Sequence, residues 1–273
     1  MKLHVIGAGK VGRSLAKAYH ASGGEVGYLV NRTLTRAEES VRLVGAGVPS
    51  TFDELKSSKF DGILAIAVPD REIESTAKLL ENCDISRVSF VFHTSGYTNS
   101  RILRGLCKPY ASIHPIFAFG RIVEPRELQG IYYDISGDEK GLEYASDFVR
   151  KLRGVPLTVD ERGKKVLHLA AVIVSNFGLT LMSQAEKLCH AAGIDVGDQF
   201  LKLMSSVLAN VEKVGVKNAA TGPVVRGDWV VVKAERELLR ELDPDFVGLY
   251  DKLVEMTRRE FCAERAQDRG TQR

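Results

Sequence analysis

This 273-residue sequence has few cysteines and little excess charge of either sign. Its four cysteines, Cys83, Cys107, Cys189 and Cys262, form no C-x-x-C pair and show no metal-ligand spacing. A chain of this length needs no disulfide stapling, so a reduced, cytoplasmic protein without a bound metal is expected. Lysine and arginine number 38 against 35 acidic residues, a formal net charge of +3. That balance gives no electrostatic reason to expect nucleic acid or an anionic membrane as a partner, and it leaves small metabolites open. A strand begins at Lys2 or Leu3, which leaves no room for the basic, apolar and cleavage regions of a signal peptide, and none is expected. Long apolar runs are scarce as well. The longest, residues 166–182, is interrupted by His168, Ser175, Asn176 and Thr180 and falls short of the ~20 apolar residues that cross a bilayer. It reads as a buried helix.

What is present is the 44% hydrophobic content of an ordinary globular chain, long enough for two domains. From Lys2 to about Asp160, short β-branched runs alternate with amphipathic stretches of helical period, the pattern of a parallel sheet covered by helices. Strands are expected over residues 3–6, 26–30, 62–67, 88–92, 111–113, 131–135 and 155–159. Helices are expected over 11–21, 35–44, 71–81, 100–106 and 141–152, with a short one near 52–57. Beyond Asp160 the strand signal stops. Helical segments are expected over 163–192, 197–214, 228–242 and 246–265, followed by a frayed polar tail from Ala266. The fold class is therefore α/β: a parallel-sheet domain over residues 1–160, then an all-helical domain over 161–273.

Gly7-Ala8-Gly9-Lys10-Val11-Gly12 is a G-x-G-x-x-G that follows a strand and opens a helix. Gly7 allows the tight turn, Gly9 lets the backbone approach a pyrophosphate, and Gly12 lets helix and strand pack closely. An NAD enzyme places a carboxylate about 20 residues further on to hold the ribose 2′-hydroxyl. This chain has Asn31-Arg32-Thr33 there, with Arg36 one turn along. A guanidinium and neutral donors accommodate a 2′-phosphate, so NADP is the expected cofactor; a solvated arginine that discriminates nothing is the plainer alternative.

Three further segments fall at expected strand ends, where ligands of open α/β sheets bind. They are Val68-Pro69-Asp70, His93-Thr94-Ser95-Gly96 and His114-Pro115. Val68, Pro69, His93 and Thr94 are candidates to line the cofactor site, although His93 reads as well as a satisfied structural histidine. His114 and Ser95, at neighbouring strand ends, could hold or relay a proton near neutral pH. In the helical half, Asn176 is either a site residue or a buried amide tying helices together. Arg226, in Thr221–Asp228, could grip a carboxylate in bidentate fashion, while Asp228 reads as a helix cap.

Taken together these residues resemble the 6-phosphogluconate dehydrogenase superfamily, which implies an NADP-binding Rossmann domain over residues 1–160 followed by a helical domain over 161–273 for substrate binding and dimerisation. Within it they are similar to a two-domain family of oxidoreductases whose C-terminal half is a domain of unknown function. The resemblance rests on His93-Thr94-Ser95-Gly96, on His114-Pro115, and on His168…Ser175-Asn176 with Thr221-Gly222-Pro223-Val224-Val225-Arg226-Gly227-Asp228. It implies NADPH-dependent reduction of a small oxo acid, and ketopantoate in those members that are atypical ketopantoate reductases. The His-Pro segment also resembles prephenate dehydrogenases, which implies that His114 and Ser95 face the substrate hydroxyl. One departure stands out: hydroxyacid dehydrogenases of the superfamily carry a catalytic lysine four residues before the helix asparagine, and this chain has Val172 there. His168 lies eight residues before Asn176, roughly 12 Å along a regular helix and about 80° round it, and Lys165 is three turns from Asn176.

The expected function is thus an NADP-dependent oxidoreductase acting on a small oxo or hydroxy acid. His114 would be its acid/base, Ser95 and Asn176 would position the reacting group, Arg226 would hold the carboxylate, and His168 would either orient substrate or pack in the domain interface. A non-catalytic NADP(H) sensor or scaffold, and a prephenate dehydrogenase-like or imine reductase activity, are the alternatives. A homodimer is expected from the apolar helix over 166–182.

Overall fold

The computed structural model describes residues 1–262. The expected end of the last helix and the polar tail lie outside the described residues. Two compact units divide after Ser175, the first from Met1 and the second from Asn176. The sheet ends at Thr158, while the first unit continues one helix further, to Ser175.

In the first unit, β1 (Lys2–Ile6), β2 (Glu25–Asn31), β3 (Val48–Thr51), β4 (Lys59–Ile66), β5 (Asp84–His93), β6 (Tyr110–Pro115), β7 (Tyr132–Gly137) and β8 (Val155–Thr158) form one sheet, ordered β3-β2-β1-β4-β5-β6-β7-β8. The first six strands follow the 3-2-1-4-5-6 order of dinucleotide-binding sheets, whose order reverses at β1 and β4. All six are mutually parallel; β7 pairs with β6 antiparallel and β8 runs parallel to β7. The expected parallel sheet is present, with β7 entering it in the opposite direction. The link from β6 to β7 holds only a 3₁₀ turn at Pro125–Leu128, with no crossover helix to return the chain to the far edge. β3 was not anticipated: its sequence, VPST, carries too few apolar residues to signal a strand.

Alternation along the strands sends side chains to two buried layers. Leu3 and Val5 pack with Leu15, Tyr19 and Phe148, beneath α1 (Lys10–Ala21) and α4 (Glu139–Lys151). Ile6, Leu64 and Ile66 pack with Ile73 and Leu80 of α3 (Asp70–Leu80). α2 (Leu34–Val44) starts at Thr33, whose hydroxyl accepts from the Arg36 amide, and stops at left-handed Gly45. Asp160 caps α5 (Glu161–Val172) by accepting from the Gly163 amide at 2.7 Å.

The second unit is helical: α6 (Gly178–Ala191), α7 (Gln199–Ala219), α8 (Pro223–Arg226), α9 (Trp229–Leu242) and α10 (Val247–Cys262). A bidentate ion pair ties α9 to α10, with Arg236 Nε and Nη2 each 2.8 Å from Asp251. Gly215, at φ 76°, interrupts α7. Asp228 caps α9 through the Val231 amide, as its sequence context predicts. The apolar helix over 166–182 forms but is not buried within the chain. Val166, Ile173, Val174, Phe177 and Leu179 are all more than half exposed, while Leu167, Ala171 and Val172 are partly buried. The helical run Glu161–Ala191 is also long and apolar enough, by length and composition, to cross a membrane.

Candidate active site

The glycine fingerprint forms the turn its spacing predicts. Gly7 sits at φ +89°, and a Cβ there would lie 2.6 Å from Val68 Cγ1. Gly12 is packed as tightly, with Val5 Cγ1 2.8 Å from the place its Cβ would take. Gly9 differs in kind: it is exposed, and a Cβ there would meet nothing closer than the Gly7 carbonyl at 4.0 Å. No side chain caps α1, so its first amides, with Lys10 exposed beside them, face outward as a backbone cradle suited to a pyrophosphate. Ala8 and Val11 turn their side chains into the core, so what they can offer a ligand is backbone. Arg13 braces the turn by donating to the Ala8 carbonyl and to Ser40 Oγ, both at 2.8 Å.

At the end of β2, Asn31 spends its amide nitrogen on the Arg36 carbonyl and Ser40 Oγ, and Thr33 caps α2. These two residues shape the helix start. Arg32 projects outward and pairs with Glu72 at 2.6 Å, its side chain 65% exposed. Arg36 is exposed too. The two guanidiniums are thus available where a 2′-phosphate would arrive, although Arg32 has an acidic neighbour that the sequence reading missed. Val68 is buried under Gly7 and Pro69 is exposed as the N-cap of α3. Thr94 is partly buried and donates its amide to the Ile66 carbonyl at 3.1 Å.

The ends of β5 and β6 hold the ionisable groups. His93, expected along the cofactor, is wholly buried and accepts the Ser95 amide on Nδ1 at 3.2 Å; with no exposed atom it is a strut beneath the loop. Burial pulls its pKa down to about 3, and the nearby Lys164 ammonium acts in the same direction. Ser95 is engaged within its own loop and with α3. Its single hydroxyl proton goes to Asp70 Oδ2 at 2.8 Å, and its oxygen accepts from the Tyr97 and Thr98 amides. A hydroxyl so engaged has no donor left for a substrate.

His114 stands near the end of β6, directly opposite Asp134 of β7 in the antiparallel register. Its Nδ1 lies 2.6 Å from Asp134 Oδ2, while Lys164 Nζ donates to Oδ1 at 3.1 Å. Asp134 is wholly buried and Lys164 is 1% exposed. Burial pulls the Lys164 ammonium below the ordinary lysine range, opposed by the charge and hydrogen bond of Asp134 and by the charge of Asp70. Removing one partner of such a buried pair costs about 3–5 kcal/mol, because the other charge is then stranded. An ionised carboxylate only accepts, so Nδ1 of His114 carries a hydrogen and a neutral ring has its bare nitrogen at Nε2.

One turn beyond Lys164 on α5, His168 comes beside His114, with ring centroids 6.0 Å apart. Gly96 makes room for both. A Cβ there would lie 2.7 Å from His114 Nε2 and 2.8 Å from His168 Nδ1, so the two ring nitrogens converge on the space above the glycine backbone. Tyr97 completes the wall, its ring 6.0 Å from that of His168. Of the expected catalytic residues, Ser95, His114 and His168 therefore cluster in the first unit, where Asp134 and Lys164 are added to them. Asn176 and Arg226 belong to the second unit. Asn176 lies in a π turn, Ile173–Phe177, so the angular spacing from His168 expected of a regular helix does not hold. Arg226 is exposed at the end of α8, before left-handed Gly227.

Strand order, glycine cradle and histidine cluster together define a dinucleotide-binding oxidoreductase fold. Comparison with known proteins agrees. Residues 2–91 match the family described as NADP oxidoreductase coenzyme F420-dependent, and residues 131–257 match a domain of unknown function, DUF2520. Protein TM1727 from Thermotoga maritima is 30% identical, covering 96% of this chain and 99% of that one with a TM-score of 0.75. BF3122 from Bacteroides fragilis, provisionally named an NADP oxidoreductase, is 23% identical over 94% and 98% of the two chains, with a TM-score of 0.79. An imine reductase from Myxococcus stipitatus in complex with NADP+ shares the fold at 20% identity, 95% and 93% coverage and a TM-score of 0.63. No curated protein matches the chain. The chain belongs to the two-domain family that joins an NADP oxidoreductase N-terminal domain to DUF2520.

Proposed function

We propose that this protein is an NADP-dependent reductase or dehydrogenase of a small carbonyl or imine compound, with His114 as its proton carrier. The observation that carries the reading is the hydrogen bond from His114 Nδ1 to buried Asp134, which leaves Nε2 as the nitrogen that exchanges a proton, beside His168 and above Gly96.

The cradle at Gly7, Gly9 and Gly12 fits a pyrophosphate, and Arg32 and Arg36 fit a 2′-phosphate. Bound there, a nicotinamide dinucleotide supplies or accepts the hydride. The chain's own part is the proton. As a carbonyl or imine carbon gains hydride and its two electrons, the oxygen or nitrogen takes a proton from protonated Nε2 of His114, and the ring is reloaded from solvent; oxidation runs the same transfers backwards. Asp134 holds the ring in one orientation throughout, as a carboxylate behind an acid/base histidine does. His168, with Nδ1 on the same space, holds the substrate heteroatom. A small 2-oxo acid, ketopantoate first, is the substrate to try, in a cytoplasmic setting.

The test is a panel of 2-oxo acids, cyclic imines and prephenate, followed by NADPH and NADH absorbance. The reading expects turnover with at least one compound and a preference for NADPH. Tight NADPH binding without any turnover would favour a nucleotide sensor.

A further inference from the structure

The buried Asp134–Lys164 pair does more than fill space. Asp134 is shared between two cationic partners from different elements, His114 of β6 and Lys164 of α5, one on each carboxylate oxygen. With an ionised Asp134 and a charged Lys164, this group of three has no net charge when His114 is neutral and one positive charge when His114 is loaded. Without the lysine charge the same two states would carry one negative charge and none. A lone carboxylate with no exposed surface is the costly case, and the proton that relieves it would settle on the imidazole 2.6 Å away.

We propose that Lys164 is a positioning residue which, by balancing Asp134, lets His114 rest as a neutral imidazole with hydrogen on Nδ1 and a bare Nε2. Lys164 touches neither substrate nor cofactor in this account and acts only through Asp134. The inference rests on the reading of His114 as the proton carrier. It also bears on the departure noted in the sequence: Val172 stands where the resemblance expects a lysine, while Lys164, about two turns earlier on the same helix, supports the histidine from behind. Other charged or titratable groups face the same cluster. His168 stands beside the ring, His93 lies beneath it with no exposed surface, and Asp70, held by Ser95, adds a second negative charge toward Lys164. Lys165 is turned away, over the Tyr97 ring and paired with Glu161.

The experiment is histidine-selective ¹⁵N NMR of the full chain without cofactor or substrate at about pH 8, with the His114 signals assigned by their loss in His114→Gln. The wild-type protein should show one protonated nitrogen, Nδ1, and one bare nitrogen, Nε2. Lys164→Gln keeps a hydrogen-bond donor but no charge, and should lose the bare-nitrogen resonance at the same pH because the ring has become imidazolium. Lys164→Arg keeps the charge and should restore the wild-type pattern. An unchanged neutral ring in Lys164→Gln overturns the proposal, and so does an imidazolium in Lys164→Arg, which would trace the effect to packing. Should Lys164→Gln fail to fold, the wild-type spectrum still decides, because an imidazolium or an Nε2-protonated tautomer there contradicts the proposal. The readout needs no turnover, so a failed substrate panel counts against the proposed activity and leaves this result standing.

Discussion

At the residue scale, what each side chain can offer follows from what it has already spent. Ser95 has given its one proton to Asp70, and Asn31 its amide to α2. Arg32 is different, because an exposed pair with Glu72 is weak and a phosphate dianion competes well for a guanidinium. Arg32→Ala should therefore weaken NADPH binding tenfold or more and leave NADH nearly unchanged, and Glu72→Gln should tighten NADPH by removing the competing carboxylate. Titrations of both dinucleotides check this, and equal losses for the two would refute it. His93 gives a second prediction. Its folded pKa of about 3 lies below the ordinary value of 6.5, so the unfolded chain takes up a proton that the folded chain refuses. Stability is unaffected by this group above pH 6.5 and falls as pH drops from 6.5 toward 3, by up to about 1.4 kcal/mol per pH unit. Urea unfolding of wild type and His93→Gln at pH 7 and pH 5 should show a smaller loss in the variant, if both fold; equal losses would contradict the assignment.

At the scale of elements, the sequence was legible wherever the signal was local. The glycine turn, the strand cores and the cap of α9 stand where pattern and spacing put them. Asp134 was not legible, because its role depends on β7 running antiparallel to β6, and nothing within residues 132–137 records the direction of its neighbour. A parallel β7 would not have placed Asp134 opposite His114. Lys164 could have been found: Lys164-x-x-x-His168 sets both residues on one face of α5. The helices of the second unit carry another prediction. In α7, Leu201, Leu203, Leu208 and Val216 are each more than half exposed, as are Val174 and Leu179 of the run Glu161–Ala191. Apolar surface on this scale marks an interface, and a two-fold homodimer is the expected occupant. Light scattering at micromolar concentration should report twice the 30.0 kDa chain mass, and Leu201→Glu with Leu208→Glu should return the monomer. A wild-type monomer would remove the idea.

At the scale of the whole molecule, the account requires that the nucleotide cradle and the proton-carrying histidine serve one reaction while remaining separable by mutation. They sit on different strand ends: the cradle follows β1, and His114 stands near the end of β6. The most direct test is the rate of NADPH oxidation by wild type and His114→Ala on the best substrate of the panel, with NADPH affinity measured alongside. General acid–base assistance is worth roughly 10²–10⁴-fold. The account predicts that kcat falls by about that factor in His114→Ala while NADPH binds as before. A His114→Ala enzyme that turns over at the wild-type rate would contradict it.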